Sequence, residues 1–194
     1  PNGGQIKNPS DVLNMHRDAL FECDNVEKTI YVAKELTCYA PLQEPDFDWW
    51  LHLFVHIILV RDPLLTLASF KRVGVEGGNT AYFDPSEAGF REAVLLKDRI
   101  LAACGKLPLI IDADKDLMVN PTDTLKNICG YCSIPYDSAM LTWRNENVKQ
   151  FDRLKGWHDD VQKTTGFTDK ACTEKKWLED CDVINAANDC RVWY

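Results

Sequence analysis

The stretch HIILVRDPLLTLASFKRV, residues 56–73, predicts an apolar strand joined to a helix through an Arg-Asp-Pro corner. Its apolar run begins at Leu51, and LHLFVHIILV predicts a strand that is buried on both faces, as parallel strands are. Asp62 stands where an N-cap residue belongs, and Pro63 takes the first helical position, where its missing N–H is not needed. The corner therefore predicts a strand that ends near Val60 and a helix that begins at once.

Arg61 stands at the carboxyl end of this predicted strand, and the helix after it carries hydroxyl groups. Asp62, Thr66 and Ser69 are spaced four and three residues apart, so they share one helix face. A guanidinium beside hydroxyl groups and a helix amino terminus is suited to bind a phosphate. The alternative is that Arg61 forms a salt bridge with a neighbouring carboxylate and that Ser69 is an ordinary helix residue.

Strand and helix patterns alternate along most of the chain. The strand patterns are KTIYVAKEL (28–36) and KLPLIIDAD (106–114), and the helix patterns are FREAVLLKDRILAACG (90–105) and NPTDTLKNICGYCSI (120–134). This alternation indicates an α/β fold, namely a three-layer sandwich with a mainly parallel sheet flanked by helices. We expect one domain over residues 1–194, in which the pattern weakens from about residue 144 and leaves the structure of the tail open. Ligands of such folds bind at the carboxyl ends of the strands.

The composition restricts the classes of partner. The chain has 22 Lys and Arg against 30 Asp and Glu, a net charge of −8 that disfavours binding to a nucleic acid. Its longest apolar run contains two histidines and has about half the length of a membrane span. With no signal-peptide pattern, the sequence predicts a cytoplasmic protein that does not bind membranes. The eight cysteines, diluted in an apolar-rich chain, predict reduced, buried thiols, and the oligomeric state stays open.

The corner resembles a known family. ILVRDPLLTLASFKR (58–72) resembles the 3′-phosphate-binding segment of sulfotransferases, in which an Arg ends a buried strand and a Ser follows eight positions later. LPLIIDADKDLMVNPTDTLKNICGYCSIPYDSAMLTW (107–143) is similar to a stretch of a microbial and fungal sulfotransferase-like group. The resemblance spans roughly residues 27–143. It implies a P-loop-type α/β fold.

The resemblance also implies a donor and residues that bind it. The donor of that family is 3′-phosphoadenosine 5′-phosphosulfate, and Arg61 and Ser69 would bind its 3′-phosphate. RLKGWHDDVQ (153–162) resembles the late Lys-Gly segment of the family, which implies donor contacts from Lys155 and Gly156.

One part of the family pattern is missing. Sulfotransferases also have a strand followed by a phosphate loop, whose backbone N–H groups and basic residue bind the 5′-phosphosulfate. GVEGGNT (74–80) follows a helix and lacks the basic residue, and PNGGQIKN (1–8) fails similarly. Two explanations stay open: the chain is N-terminally incomplete and its loop lies upstream of Pro1, or the scaffold has lost the loop.

Acid–base candidates follow the strand predicted in KTIYVAKEL, which would place Lys34 and Glu35 at the same edge as Arg61. The resemblance implies that Glu35 is the base and that Lys34 contacts the leaving group or the sulfonate. The alternative is a solvated ion pair at a strand end. His52 and His56 would share one strand face, where burial is favoured over a zinc pair because no third ligand is near.

Two further motifs predict structure rather than metal binding. Asp112, Asp114 and Asp116 alternate as in a calcium loop, but Leu117 replaces the glycine that the loop needs, so we reject calcium. Cys129-x-x-Cys132 lacks a second ligand pair and predicts core packing.

Three functions follow from these patterns. The leading hypothesis is a sulfotransferase-like enzyme of secondary metabolism that transfers a sulfuryl group to a hydroxyl of a small apolar molecule, if a phosphate loop is supplied. The second is a diverged member that cyclises or isomerises an apolar metabolite without a cofactor. The third is a non-catalytic binding domain. The spacing of Arg61 and Ser69 favours the first, and the missing loop favours the other two.

Overall fold

The structure is a computed structural model that describes residues 30–78, 82–145, 156–167 and 175–194. Its helices and strands, numbered along the chain, are α1 (Phe47–Leu51), β1 (Ile57–Val60), α2 (Pro63–Phe70), α3 (Phe90–Cys104), β2 (Leu109–Asp112), α4 (Pro121–Cys132), α5 (Asp159–Gln162), α6 (Lys175–Leu178) and α7 (Cys181–Cys190). They belong to two compact units, the first built from residues up to 56 together with 89–108, and the second from 57–88 and 109–194. The single domain over residues 1–194 stays a prediction.

The second unit contains a small parallel sheet. Strands β1 and β2 pair in parallel, with Ile57 opposite Leu109 and Val60 opposite Asp112. Parallel strands require a crossover connection, and the long segment between β1 and β2 includes the helical residues of α3. The chain therefore has an α/β fold, as the alternation of strand and helix patterns predicts.

The predicted strand-to-helix corner is confirmed. Helix α2 begins at Pro63, and the Asp62 side chain accepts hydrogen bonds from the backbone N–H groups of Leu64, at 2.8 Å, and Leu65, at 3.3 Å. These bonds satisfy two of the amide groups that have no partner at a helix start. Local sequence therefore suffices to specify this joint.

The core of the second unit lies between α2 and the C-terminal helices. Leu67 and Ala68 of α2 pack in one buried cluster with Trp177 of α6 and with Val183 and Ala187 of α7. In the segment from about residue 144, whose structure the sequence pattern leaves uncertain, the described C-terminal part forms α6 and α7. Each of these short helices is apolar on one side only, and in a charged segment such a short apolar pattern gives a weak sequence signal.

An ion cluster joins the same helices. Lys71, directly after α2, donates to both carboxylate oxygens of Asp180 at 2.8 Å and to Asp182 at 3.0 Å. Burial alone would lower the pKa of Lys71, but the hydrogen bonds and charges of the two carboxylates raise it above its ordinary value. The bond from Lys71 likewise holds the pKa of Asp180 below its ordinary value. Asp180 also caps α7, so one carboxylate stabilises two elements.

The first unit contains α1 and α3. Arg99 of α3 donates to the Asp48 carboxylate at 2.6 Å and to the backbone carbonyl oxygens of Leu42 and Glu44. At the start of α3, Gly89 has a φ of 69°, and a side chain there would collide with Thr37. The predicted helix over residues 90–105 is confirmed, with Gly105 as its left-handed C-cap.

One strand prediction is wrong, and another is too long. Residues 30–36, the described part of KTIYVAKEL, have no regular secondary structure. In LHLFVHIILV, Leu51 ends a helix and only residues 57–60 form a strand. Apolar and β-branched residues favour strands, but a strand also needs a neighbouring strand to bond to, and local composition does not supply one.

Burial of β1 on both of its faces is also wrong for the described residues. Ile58 and Ile111 are buried, whereas Leu59 is 60% exposed and Ile110 is 47% exposed. The side chains of a strand alternate between its two faces. Each strand therefore buries one of its faces. Because Ile58 pairs with Ile110 and Leu59 pairs with Ile111, the buried faces of β1 and β2 lie on opposite sides of the sheet.

Candidate functional site

The carboxyl ends of the two strands lie side by side in the second unit. Because Val60 pairs with Asp112, Arg61 and Asp62 leave β1 at the level where Asp114 and Lys115 follow β2. We call residues 61–62 the β1 corner and residues 112–115 the β2 corner. Their side chains supply two cations and three carboxylates within one small area.

Arg61 contacts a carboxylate of the β2 corner. Its Nε atom lies 3.2 Å from Oδ1 and 3.3 Å from Oδ2 of Asp114, and the two side chains are 37% and 28% exposed. This contact matches the salt bridge that was the alternative interpretation of Arg61. It uses only Nε, and within the described part of the chain the two terminal amino groups of Arg61 meet no protein acceptor.

The helix α2 carries the predicted hydroxyl groups. The Thr66 hydroxyl lies 3.5 Å from the Arg61 carbonyl oxygen, at the limit of a hydrogen bond, and thus contacts the β1 corner. Ser69 is half-buried, and its hydroxyl has no hydrogen bond to another described residue. Arg61 and Ser69 therefore both retain donors that a ligand could use.

The β2 corner is held together by internal hydrogen bonds. The Asp112 carboxylate accepts from the backbone N–H groups of Asp114, at 2.9 Å, and Lys115, at 3.0 Å. It also pairs with the Lys115 ammonium at 3.1 Å and accepts a hydrogen bond from the Tyr194 hydroxyl. Lys115 in turn donates to that hydroxyl at 2.8 Å.

These contacts shift the titration of all three groups. Partial burial alone would raise the pKa of Asp112, but the hydrogen bonds from Tyr194 and Lys115 outweigh it and hold the pKa below its ordinary value. Burial raises the pKa of Tyr194, and the bond to Asp112 adds to the rise. The bonds to Tyr194 and Asp112 raise the pKa of Lys115. At neutral pH the cluster therefore holds an ionised carboxylate, an ammonium and a neutral phenol.

The late Lys-Gly segment lies against the end of α2. Gly156 has a φ of 83°, and a Cβ there would lie 3.1 Å from Val73, in the turn that continues α2. The ring of Trp157 packs against that of Phe70, with centroids 5.9 Å apart. Gly156 is therefore close to the helix that carries Ser69. Lys155 lies outside the described residues.

The proposed acid–base pair belongs to the other unit. Lys34 and Glu35 are exposed on an irregular segment of the first unit, whereas Arg61 and Ser69 belong to the second. A strand that delivers the pair to the edge beside Arg61 is not formed by residues 30–36. The catalytic roles of Lys34 and Glu35 stay predictions.

The two histidines do not share a strand face. His52 is exposed in the turn after α1, and His56 is half-buried with its Nε2 atom 2.8 Å from the Leu51 carbonyl oxygen. Burial was expected for both histidines, and it holds in part for His56 only.

The prediction of core packing for the Cys-x-x-Cys motif is confirmed at Cys129, whose sulfur lies 3.7 Å from that of Met140.

Sequence reasoning did not assign a role to Asp114, Lys115 or Tyr194 at these corners. The signal for Asp114 was available, because two parallel strands that end together place the residues after them side by side. Tyr194 gave no such signal, since it is 79 residues from Lys115 and only the packing of the C-terminal segment brings them together.

Comparison with known proteins agrees with the resemblance of the corner. A family model described as "Sulfotransferase domain" matches residues 18–188, which is most of the chain. No solved structure matches the chain. Among the described residues, no helix is both long and apolar enough to span a bilayer, and the cytoplasmic location stays a prediction.

Two curated relatives come from Arabidopsis thaliana. Branched-chain-amino-acid aminotransferase-like protein 2 is 33% identical over 115 residues, and branched-chain-amino-acid aminotransferase-like protein 1 is 33% identical over 117 residues. Each alignment covers 58% of this chain and 19% of the relative. The aligned part is therefore about a fifth of the length of these relatives.

Proposed function

We propose that this chain, which belongs to the sulfotransferase domain family, transfers a sulfuryl group from 3′-phosphoadenosine 5′-phosphosulfate to a hydroxyl of a small apolar molecule. In this proposal Arg61 and Ser69 bind the 3′-phosphate of the donor. The chain aligns with only 19% of each relative, so the activity in their aminotransferase-like names is not proposed for it.

The state of Arg61 is the observation that carries the proposal. The guanidinium is held at Nε by Asp114, while its terminal amino groups meet no acceptor in the described residues. Two parallel N–H donors match the spacing of two phosphate oxygens, and such charge-assisted pairs are among the stronger hydrogen bonds in proteins. An anion can therefore bind here without displacing Asp114.

Two other features support a phosphate at this place. The Ser69 hydroxyl has no partner among the described residues, and a hydroxyl can donate to a phosphate oxygen. The Gly156 segment packs against the end of α2, the helix that carries Ser69. Lys155 and Gly156 are accordingly proposed as further donor contacts.

The transfer itself would use Glu35 and Lys34. As the acceptor oxygen attacks sulfur, Glu35 would remove its proton, the bond from sulfur to the donor phosphate oxygen would break, and adenosine 3′,5′-bisphosphate would leave. Lys34 would stabilise the charge that grows on the leaving phosphate. Residues 1–194 contain no phosphate-loop pattern for the 5′ end, so the decisive experiment measures binding of the 3′-phosphate and not turnover.

Calorimetric titration with adenosine 3′,5′-bisphosphate, compared with adenosine 5′-phosphate, tests the proposal. We expect the bisphosphate to bind more tightly, because only it carries the 3′-phosphate. Arg61→Ala should weaken its binding by about tenfold to a hundredfold, since a charge-assisted hydrogen-bond pair contributes roughly 1.5–3 kcal/mol. Ser69→Ala should weaken it about fivefold.

Arg91→Ala is the matched control, because it removes the same charge from an exposed position that contacts the Glu92 carboxylate at 3.7 Å. It should leave both affinities unchanged. Equal binding of the two nucleotides, or bisphosphate binding that survives Arg61→Ala, would contradict the proposal. The cofactor-free enzyme and the binding domain would then be the remaining hypotheses.

A further inference from the structure

The contact between Arg61 and Asp114 is the most specific arrangement at the two corners. Both carboxylate oxygens lie within 3.3 Å of Nε, and neither reaches a terminal amino group of the guanidinium. The guanidinium is planar, so a partner fixed at Nε limits the directions in which the terminal groups can point. Asp114 therefore orients the part of Arg61 that it does not contact.

The position of Asp114 is itself determined by hydrogen bonds. Its backbone N–H donates to the Asp112 carboxylate at 2.9 Å, and the backbone N–H of Asp112 donates to the Asp116 carboxylate at 2.9 Å. The segment also follows directly on β2, whose register with β1 sets its distance from Arg61. A carboxylate held in this way can serve as a fixed support for a longer, flexible side chain.

Two opposite effects of Asp114 on an anion are conceivable on physical grounds. As a support it reduces the rotamer freedom that Arg61 would lose on binding, which favours binding. As a negative charge near a phosphate it repels the ligand and competes for the guanidinium. The geometry favours the first effect, because the carboxylate occupies Nε and leaves the paired terminal donors to the ligand.

We infer that Asp114 is a positioning residue that holds Arg61 in the orientation required to bind the 3′-phosphate. The inference rests on the proposed function, because it presupposes that Arg61 binds this phosphate. The inference gives a role in donor binding to a residue, Asp114, that would itself contact neither the donor nor the acceptor. If Asp114 were only a counter-ion of Arg61, its removal would strengthen the binding of the phosphate instead of weakening it.

The test is calorimetric titration of the 194-residue chain with adenosine 3′,5′-bisphosphate and adenosine 5′-phosphate. We expect Asp114→Ala to weaken bisphosphate binding about fivefold, although it removes a negative charge, and to leave the monophosphate unchanged. Asp114→Asn keeps an oxygen that can accept from Nε and should restore the affinity to within about twofold of wild type. Should Asp114→Ala not fold, Asp114→Ser provides the same comparison.

Asp123→Ala is the control, because it removes an exposed carboxylate of the same unit that contacts Asn120 and Lys126 and has no contact to Arg61. It should change bisphosphate binding by less than about twofold. Equal or tighter bisphosphate binding by Asp114→Ala would overturn the inference while the proposed function stands. If wild type does not prefer the bisphosphate, or Arg61→Ala does not weaken it, the proposed function fails, and the inference fails with it.

Discussion

The β1 and β2 corners are built alike, but they use their cations differently. Each has an aspartate that accepts hydrogen bonds from the two backbone N–H groups two and three residues further on, Asp62 for α2 and Asp112 for the turn Ala113–Leu117. At the β2 corner Lys115 is bonded to both Asp112 and Tyr194. At the β1 corner Arg61 has one carboxylate partner at Nε.

This difference separates structural from ligand-binding cations. Lys115 uses two of its three N–H donors within the protein, so it mainly stabilises the local fold and keeps one donor for a ligand. A cation that is oriented by one contact and keeps further donors is prepared to bind an anion. The same aspartate cap thus serves two corners, and the side chains beside it decide what each corner can do.

The largest expected difference between the two corners is in stability, because the helix after β1 is anchored in the core and the turn after β2 is not. Leu67 of α2 is fully buried, whereas the turn after β2 has no buried residue. We expect Leu67→Ala to lower the free energy of unfolding by about 2–5 kcal/mol, because it leaves a cavity in the core. Leu117→Ala, the matched change at the β2 corner, should cost at least about 1 kcal/mol less. Urea unfolding followed by circular dichroism measures both, and equal losses would contradict this account.

A smaller effect is expected from the cap of the β1 corner. Asp62→Ala removes the acceptor for the N–H groups of Leu64 and Leu65 and should lower the free energy of unfolding by about 1 kcal/mol. Asp62→Asn should retain most of the stability, because asparagine also caps helices. The same unfolding measurement applies. A loss in Asp62→Asn as large as in Asp62→Ala would show that charge, and not the hydrogen bonds, is what matters.

The smallest effect should come from the β2 corner and should depend on pH. The pKa of Asp112 lies below its ordinary value of 3.8, so its contacts add stability above pH 3.8 that is lost as the pH falls through the lowered pKa. Tyr194→Phe removes one cause of this lowering. We expect it to cost less than about 1 kcal/mol at pH 7, since Tyr194 is 40% exposed, and progressively less on acidification.

Urea unfolding of Tyr194→Phe and wild type between pH 7 and about pH 3 measures this difference. Tyr136→Phe on another part of the second unit is the control, and its difference from wild type should not vary with pH in this way. A Tyr194→Phe difference that stays constant or grows on acidification would contradict the role assigned to Asp112.

Local signals predicted some of these elements well. The N-cap and proline at residues 62–63 were sufficient for the start of α2, and the apolar period with its closing glycine was sufficient for α3. Both depend on neighbours within a few residues along the chain. Predictions that needed a distant partner did less well: residues 30–36 have strand-forming composition but no strand, and the helices of residues 175–194 were missed.

The candidate site divides in the same way. The Arg61 corner could be predicted from local sequence, because the strand, the cap and the spacing to Ser69 are all encoded within 13 residues, 57–69. The contact of Arg61 with Asp114 and the hydrogen bond from Lys115 to Tyr194 follow from the tertiary structure alone. The register between β1 and β2 and the packing of the C-terminal segment set these contacts. Such contacts join residues dozens of positions apart, so their energies depend on the whole fold and not on any local pattern.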